Sequence, residues 1–378
     1  MIFKINIRFI INKLTKSTQP NQSTQSTQST QPNQTNPMYI TSKDSIIFDP
    51  KYNDTLDINL ISQYKKIFFS NYVLNEDICN AYENNNFNNL YFHMRCEFNQ
   101  EVNILHQHLT HLTFGYCFNQ KVNMLPQQLT HLTFGNEFNQ EVNMLPQQLT
   151  HLTFGNEFNQ EVNMLPKMLT HLTFGTYFNQ EVVKLPQQLT HLTFGDCFNQ
   201  EVNLLSRLLT HLTFGYCFNQ EVNLLPRLLT HLTFGRNFNQ EVANLPQLLT
   251  HLTFGHDFDK SNIYLPFGIK YLKLDCINPH INSHIIAQLS SNIEVLELDF
   301  WFDLELNDLP TSIKKIIFNI DSMYNKKLNC LPKFVEQIQL PRYYNKQIKN
   351  LPSKLKKVIC SSQYEYIQDF DNLDVLTY

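Results

Sequence analysis

The sequence predicts a β-rich solenoid, a stack of 20-residue coils with a parallel β-sheet on one face. Three observations predict it. First, the phrase HLTFG begins at His111 and returns at His131, His151, His171, His191, His211, His231 and His251, twenty residues apart each time, and a period of about 20 to 50 residues marks a stacked repeat. Second, apolar residues within a unit follow neither a sustained helical period nor one long alternation, so each unit turns several times. Third, twenty residues cannot bury an apolar face alone, whereas copies laid side by side form a continuous core with strands about 4.8 Å apart.

From Leu125 the unit runs LPQQLTHLTFGNEFNQEVNM and restarts at Leu145. Its apolar positions are Leu125, Leu129, Leu132, Phe134, Phe138 and Val142. Leu132, Thr133 and Phe134 alternate with period two, which predicts a short strand with Leu132 and Phe134 inward and His131 and Thr133 outward. Pro126 cannot donate to a ladder and belongs in the returning arm. Gly135 ends the strand, and a positive φ is expected there; eight of the nine glycines occupy this position, so the cause is a demand of the backbone and not of a ligand. Phe138 begins a second inward column. The Asn that follows it is expected to hydrogen-bond the next coil, because a buried turn cannot leave its amides unpaired.

Residues 1–16, MIFKINIRFIINKLTK, are basic and apolar, and the alternation over Lys4 to Phe9 suits a strand better than a leader or a membrane-surface helix. Residues 17–37 form a Ser/Thr/Gln/Pro/Asn tract without the apolar residues that offset ordering entropy, and read as a disordered tether. Residues 38–97 read as degenerate repeats or an N-terminal cap, with a worn copy in Leu60, Tyr64, Ile67 and Phe69. Residues 98–257 are the regular repeats. Residues 258–378 keep the spacing, as at Leu309-Pro310 followed by Ile313, Ile316 and Phe318, and read as degenerate repeats with a C-terminal cap; longer units near Ile281 and Tyr324 place insertions in loops.

LPxxLxxLxF at this period resembles a short leucine-rich repeat, with the Asn displaced to follow Phe138. The unit is more similar to the FNIP repeat family of social amoebae and giant DNA viruses, whose units resemble LPxSLTHLTFGxxFNQPI; here FNQ is followed by Glu-Val or Lys-Val, as at Glu141-Val142 and Lys121-Val122. The resemblance implies a leucine-rich-repeat-like interaction scaffold, in some members joined to an F-box that recruits a ubiquitin ligase. No convincing F-box is legible between Met38 and Glu97.

The net charge of -4 and pI near 6.4 give no global basic surface for nucleic acid or an acidic membrane. No span crosses a membrane, and eight cysteines without a CxxC pair read as reduced thiols in an intracellular, cytoplasmic protein. One residue type repeated eight times is not a nucleophile, base and acid, so no enzyme is expected. Ladder side chains run parallel and do not converge at the roughly 2.0–2.1 Å that Zn–N bonds need, so no metal or cofactor is expected either.

What remains is a protein partner held by the strand face and adjoining loops. Variation concentrates in the two residues after each Gly, and loops beside a rigid sheet commonly carry recognition. The candidate contact residues are His131, Thr133, Asn136, Glu137, His151, Thr153, Asn156, Glu157, His171, Thr173, Thr176, Tyr177, Tyr216 and Arg236. Two readings stand beside this one: a ubiquitin-ligase substrate adapter with an unrecognised F-box, and a His-lined metal- or pH-responsive surface.

Overall fold

A computed structural model describes residues 38–72, 74, 78–84, 95–222, 224–242 and 244–378; the expectations for 1–16 and 17–37 lie outside the described residues. The stack is one 17-stranded sheet. An antiparallel pair opens it, β1 (Tyr39–Thr41) against β2 (Ser45–Phe48), and β2 then pairs in parallel with β3 (Lys66–Phe69). β1 thus covers the first edge of the parallel array, the edge that unpaired amides would otherwise leave open.

The eight near-identical units supply β4 (His111–Thr113), β5 (His131–Thr133), β6 (His151–Thr153), β7 (His171–Thr173), β8 (His191–Thr193), β9 (His211–Thr213), β10 (His231–Thr233) and β11 (His251–Phe254). Each pairs in parallel with the next, residue i opposite i+20, so His meets His, Leu meets Leu and Thr meets Thr. The degenerate units continue without a break through β12 (Tyr271–Leu274), β13 (Val295–Leu298), β14 (Lys315–Phe318), β15 (Gln337–Gln339), β16 (Lys357–Cys360) and β17 (Asp374–Thr377).

All six apolar positions of the unit point inward: Leu125, Leu129, Leu132, Phe134, Phe138 and Val142 are each no more than 3% exposed. The two phenylalanines of a coil stack closely, Phe134 on Phe138 with ring centroids 3.7 Å apart, and each meets its counterpart one coil on at 5.6 and 6.1 Å. Offset stacking of this kind adds roughly 0.5–1.5 kcal/mol per pair to area burial.

The Asn column satisfies the turn as expected. Asn119 Oδ1 accepts the Asn139 backbone N–H at 3.0 Å, and the contact repeats through Asn159, Asn179, Asn199, Asn219 and Asn239. The following Gln was not anticipated: Gln140 Nε2 donates to the same Asn119 Oδ1 at 3.0 Å, so each Asn-Gln pair is stitched to the coil before it.

Two local expectations are corrected. No glycine of the HLTFG column has a positive φ; instead, a Cβ on Gly155 would lie 1.9 Å from the carbonyl oxygen of Gly135, and every later Gly of the column faces its predecessor in the same way. Successive backbones touch here, and only a residue without Cβ fits. The insertion near Ile281 is not a loop but an eight-residue helix, Pro279–Ile286, capped by Asn278 Oδ1 on the His280 N–H at 2.9 Å.

A larger insertion was not legible. Phe98 stacks on Phe69 at 3.9 Å, just as Phe118 stacks on Phe114 at 3.6 Å, so Phe98 completes the coil of β3 although 28 residues separate it from Phe69. The segment between carries a short helix, Ile78–Asn84. Its Ile78 and Tyr82 pack on Phe68 and Ile47, residues that point out of the sheet on the side opposite the main core.

Candidate interaction surface

The inserted helix therefore covers the outer face of β2 and β3. From β4 onward that face is lined by the His and Thr of HLT, all partly exposed. The eight imidazoles form one stacked column, with ring centroids 4.0 to 4.2 Å apart and planes within 9 to 15° of parallel. Lys66 precedes it in register and Tyr271 closes it, 5.4 Å from the His251 ring.

A Thr that sequence reading passed over holds each ring. Thr130 Oγ1 donates to the Thr110 carbonyl of the preceding coil at 3.1 Å and lies 2.9 Å from His131 Nδ1. The same pair of contacts recurs at Thr150, Thr170, Thr190, Thr210, Thr230 and Thr250. Wherever the shared proton sits, Nδ1 is occupied and Nε2 is the polar atom each ring has left to offer.

Stacking also removes water from the rings. Burial, with the charge of neighbouring imidazoles second, pushes His131 and His231 down to about 4; burial and then Lys66 do the same for His111. His151, His171, His191, His211 and His251 are lowered in the same direction, again by burial first. Mutual repulsion alone, the cause that spacing suggests, is the lesser one.

The sign of the pH dependence follows. A ring whose folded pKa lies below the unfolded value of about 6.5 binds fewer protons folded than unfolded in the window between the two. Its stability contribution is complete above about pH 6.5 and falls as pH drops toward about 4. Lys66 at one end of the column and Lys270 at the other lower the nearest rings further, in the same direction. In melts from pH 8 to 4.5, the parent is expected to lose more midpoint than a variant with His131, His151, His171, His191 and His211 changed to Gln. The difference should persist in added salt, because desolvation is not screened. Equal losses would mean that the rings do not stack.

The exit turns form a second ladder beside the strands. Glu137 N donates to Tyr116 O at 2.9 Å, Glu157 N to Asn136 O at 2.8 Å and Tyr177 N to Asn156 O at 2.9 Å. Thr176 Oγ1 reaches Asn156 Oδ1 at 3.1 Å, and the Arg236 guanidinium lies over the Tyr216 ring at 5.6 Å. The candidate residues thus fall into two groups: the His and Thr of β5, β6 and β7 on the sheet, and Asn136, Glu137, Asn156, Glu157, Thr176, Tyr177, Tyr216 and Arg236 along its rim. Tyr177 is 50% and Tyr216 45% exposed, so the rim offers large side chains on a fixed backbone.

Two further features escaped sequence reading. Where the His column ends, the face becomes charged: Lys273 Nζ bridges Glu297 at 2.8 Å and Asp299 at 2.9 Å, Tyr271 OH donates to Glu297 at 2.6 Å, and burial followed by Asp299 raises Asp275 to about 6. These residues come from different worn units, so no shared phrase marks them. The other feature is a column of exposed apolar residues, Met124, Met144, Met164, Leu204 and Leu224, each 62 to 77% exposed. Its signal was present, since the Met or Leu that ends these five units belongs to none of the six inward positions.

Parallel 20-residue coils with an inward Leu and Phe per strand, and polar columns on the open side, define a leucine-rich-repeat-like solenoid of the kind that commonly serves as an interaction scaffold. The regular units are similar to a known repeat: the family described as FNIP Repeat matches residues 98–137, 118–157, 138–177, 158–197 and 221–257. Among solved structures, CroV588, a circular leucine-rich-repeat protein of a giant virus, is 32% identical with a TM-score of 0.60, over 86% of this chain and 58% of CroV588. The chain therefore spans less than two thirds of that relative. YopM from Yersinia enterocolitica is 15% identical, TM-score 0.35, over 67% of this chain and 74% of that one. The functional domain of InlJ from Listeria monocytogenes is 16% identical, TM-score 0.37, over 82% of this chain and 65% of that one. No curated protein matches. Among the described residues no helix is long and apolar enough to cross a membrane.

Proposed function

We propose that the protein is a non-catalytic scaffold inside the cell that holds a protein partner against its open strand face and the exit-turn rim. One observation carries the reading. The strand and core positions of the unit are repeated almost unchanged, while the pair after Gly takes six different forms among the eight coils and stands on a hydrogen-bonded ladder with Tyr177 and Tyr216 half exposed. Tyr and Arg side chains are among those that protein interfaces use as anchors. The imidazole column supports the same reading: it is neutral near pH 7, so the face meets a partner without the desolvation cost of eight charges.

The test is affinity capture of partners with the parent chain and with a variant in which Tyr177, Tyr216 and Arg236 are changed to Ala. A partner recovered by the parent and reduced at least tenfold with the variant, whose melting midpoint is unchanged, supports the rim. Equal recovery overturns it. Recovery of a Skp1-like subunit with either chain would make the protein a ligase adapter, the reading that its family resemblance leaves open.

A further inference from the structure

Cys197 and Cys217 hold the same place in neighbouring coils, the second residue after Gly195 and Gly215. The exit-turn ladder fixes both backbones: Cys197 N donates to Thr176 O at 2.8 Å and Cys217 N to Asp196 O at 2.7 Å. Bonds of this kind set successive rungs about 4.8 Å apart, so the two side chains leave the backbone one coil apart at one position of the turn. Both are partly exposed to solvent and free. Their proximity is felt electrostatically, since burial first and the Cys197 thiol second push the Cys217 thiol up. Tyr177 precedes the pair in this column and Asn237 follows it, so no third thiol, imidazole or carboxylate continues it. Among the described residues, no group of three or more His, Cys, Asp or Glu is placed to hold a metal.

We propose that Cys197 and Cys217 hold one soft monovalent cation, Cu(I), in a two-coordinate site between the coils, independent of whichever partner the strand face takes. Spacing decides between this and a disulfide. A disulfide needs Cβ atoms about 3.5–4.5 Å apart, closer than two rungs of the ladder stand. The coils have no room to close up, because Gly195 and Gly215 already touch: a Cβ on Gly215 would lie 2.2 Å from the Gly195 carbonyl oxygen. Two metal–sulfur bonds of about 2.3 Å laid end to end span about 4.6 Å, which the ladder supplies without movement. The stacked imidazoles cannot do the same, because an Nε2 lone pair lies in its ring plane and runs parallel to those of the rings beside it. Thiolate lone pairs stand sideways from the Cβ–Sγ bond, so two sulfurs in a column can face each other along it. Soft thiolate ligands select Cu(I), and the lack of further ligands disfavours Zn(II), which prefers a tetrahedral set. As the cation enters, each thiol releases its proton, so one Cu(I) replaces two protons.

The experiment is an anaerobic titration of the reduced full chain with Cu(I) delivered from a colorimetric chelator. The parent is expected to take one more tightly held copper than the variant Cys197→Ser with Cys217→Ser. Either change alone should weaken that site at least about a hundredfold, the loss expected when a second tethered ligand is removed. Two variants with an unchanged number of cysteines test the spacing. Cys217→Asn with Asn237→Cys leaves the thiols two coils apart and should lose the site. Cys217→Asn with Tyr177→Cys sets them one coil apart again, at positions 177 and 197, and should restore it. The residue at this position already differs among the coils, so the melting midpoint without metal should not move in any variant. X-ray absorption of the loaded parent should show sulfur and no nitrogen around the copper. A parent that binds no more copper than the double Ser variant overturns the proposal. So does a pair two coils apart that binds as tightly as the parent, a restored pair that does not bind, or imidazole nitrogen at the copper. Ready closure of a disulfide between Cys197 and Cys217 by glutathione disulfide does too, since it requires the coils to close up.

Discussion

Gly175→Ala is expected to destabilise the stack by roughly 3 kcal/mol, the upper end of what overpacking a close contact costs. The added Cβ would sit 2.1 Å from the Gly155 carbonyl oxygen and 2.4 Å from its carbon. Nothing at that point is the flexible end of a side chain. Relief requires the two coils to part, and the bonds nearest the contact, Phe154 N to Thr173 O and Tyr177 N to Asn156 O, both at 2.9 Å, lengthen with them. Gly268→Ala is the control, since its Cβ would meet nothing closer than 3.4 Å; a change within about 0.5 kcal/mol is expected there. Gly175→Asn separates close approach from conformation, because Asn tolerates a left-handed backbone but carries a Cβ. Denaturant melts of the three variants check this. If Asn is tolerated where Ala is not, close approach is the wrong cause.

That contact shows where reading the sequence stopped. The repeat, the inward set from Leu125 to Val142 and the Asn ladder were all legible, because each follows from the contents of one unit and from the need to bury its apolar face. The reason for Gly was not, since it depends on how closely two backbones approach after stacking, and the same letter serves a positive φ or a missing Cβ. The coil of β3 was hidden for a different reason. Its closing residue, Phe98, opens the first FNQ phrase in sequence yet packs on Phe69, and the 28 residues between them carry no copy of the pattern. At the candidate surface, the outward positions His131 and Thr133 were readable from period-two alternation. The role of Thr130 was not: its hydroxyl touches its own neighbour His131 and the coil before, a geometry that exists only in the stack.

Leu172→Asp should unfold more of the protein than removing twenty residues. Leu172 is 1% exposed and stands in register between Leu152 and Leu192, both also 1% exposed, with no polar group of the core column to receive a carboxylate. An unpaired ionised group there costs several kcal/mol and cannot be relieved by one rotamer, because the coils above and below are close-packed. Deleting residues 145–164 does something different. It takes out β6 with one full turn of every column, and Thr170 then stands where Thr150 did, its N–H directed at the Thr130 carbonyl that Thr150 now occupies at 2.9 Å. His171 follows His131, Phe174 follows Phe134, and the Gly column closes on Gly135. Stability in such a stack is close to a sum of unit and nearest-neighbour terms, so one unit fewer lowers the midpoint slightly and leaves the transition cooperative. Deleting only 145–154 removes β6 but keeps its FNQ segment, which throws every later column half a coil out of register. The expected order of stability is therefore parent, then the twenty-residue deletion, then Leu172→Asp, with the ten-residue deletion unfolded. Thermal melts followed by circular dichroism give that order directly, and a ten-residue deletion that melts above the twenty-residue one would show that the coils are not interchangeable units.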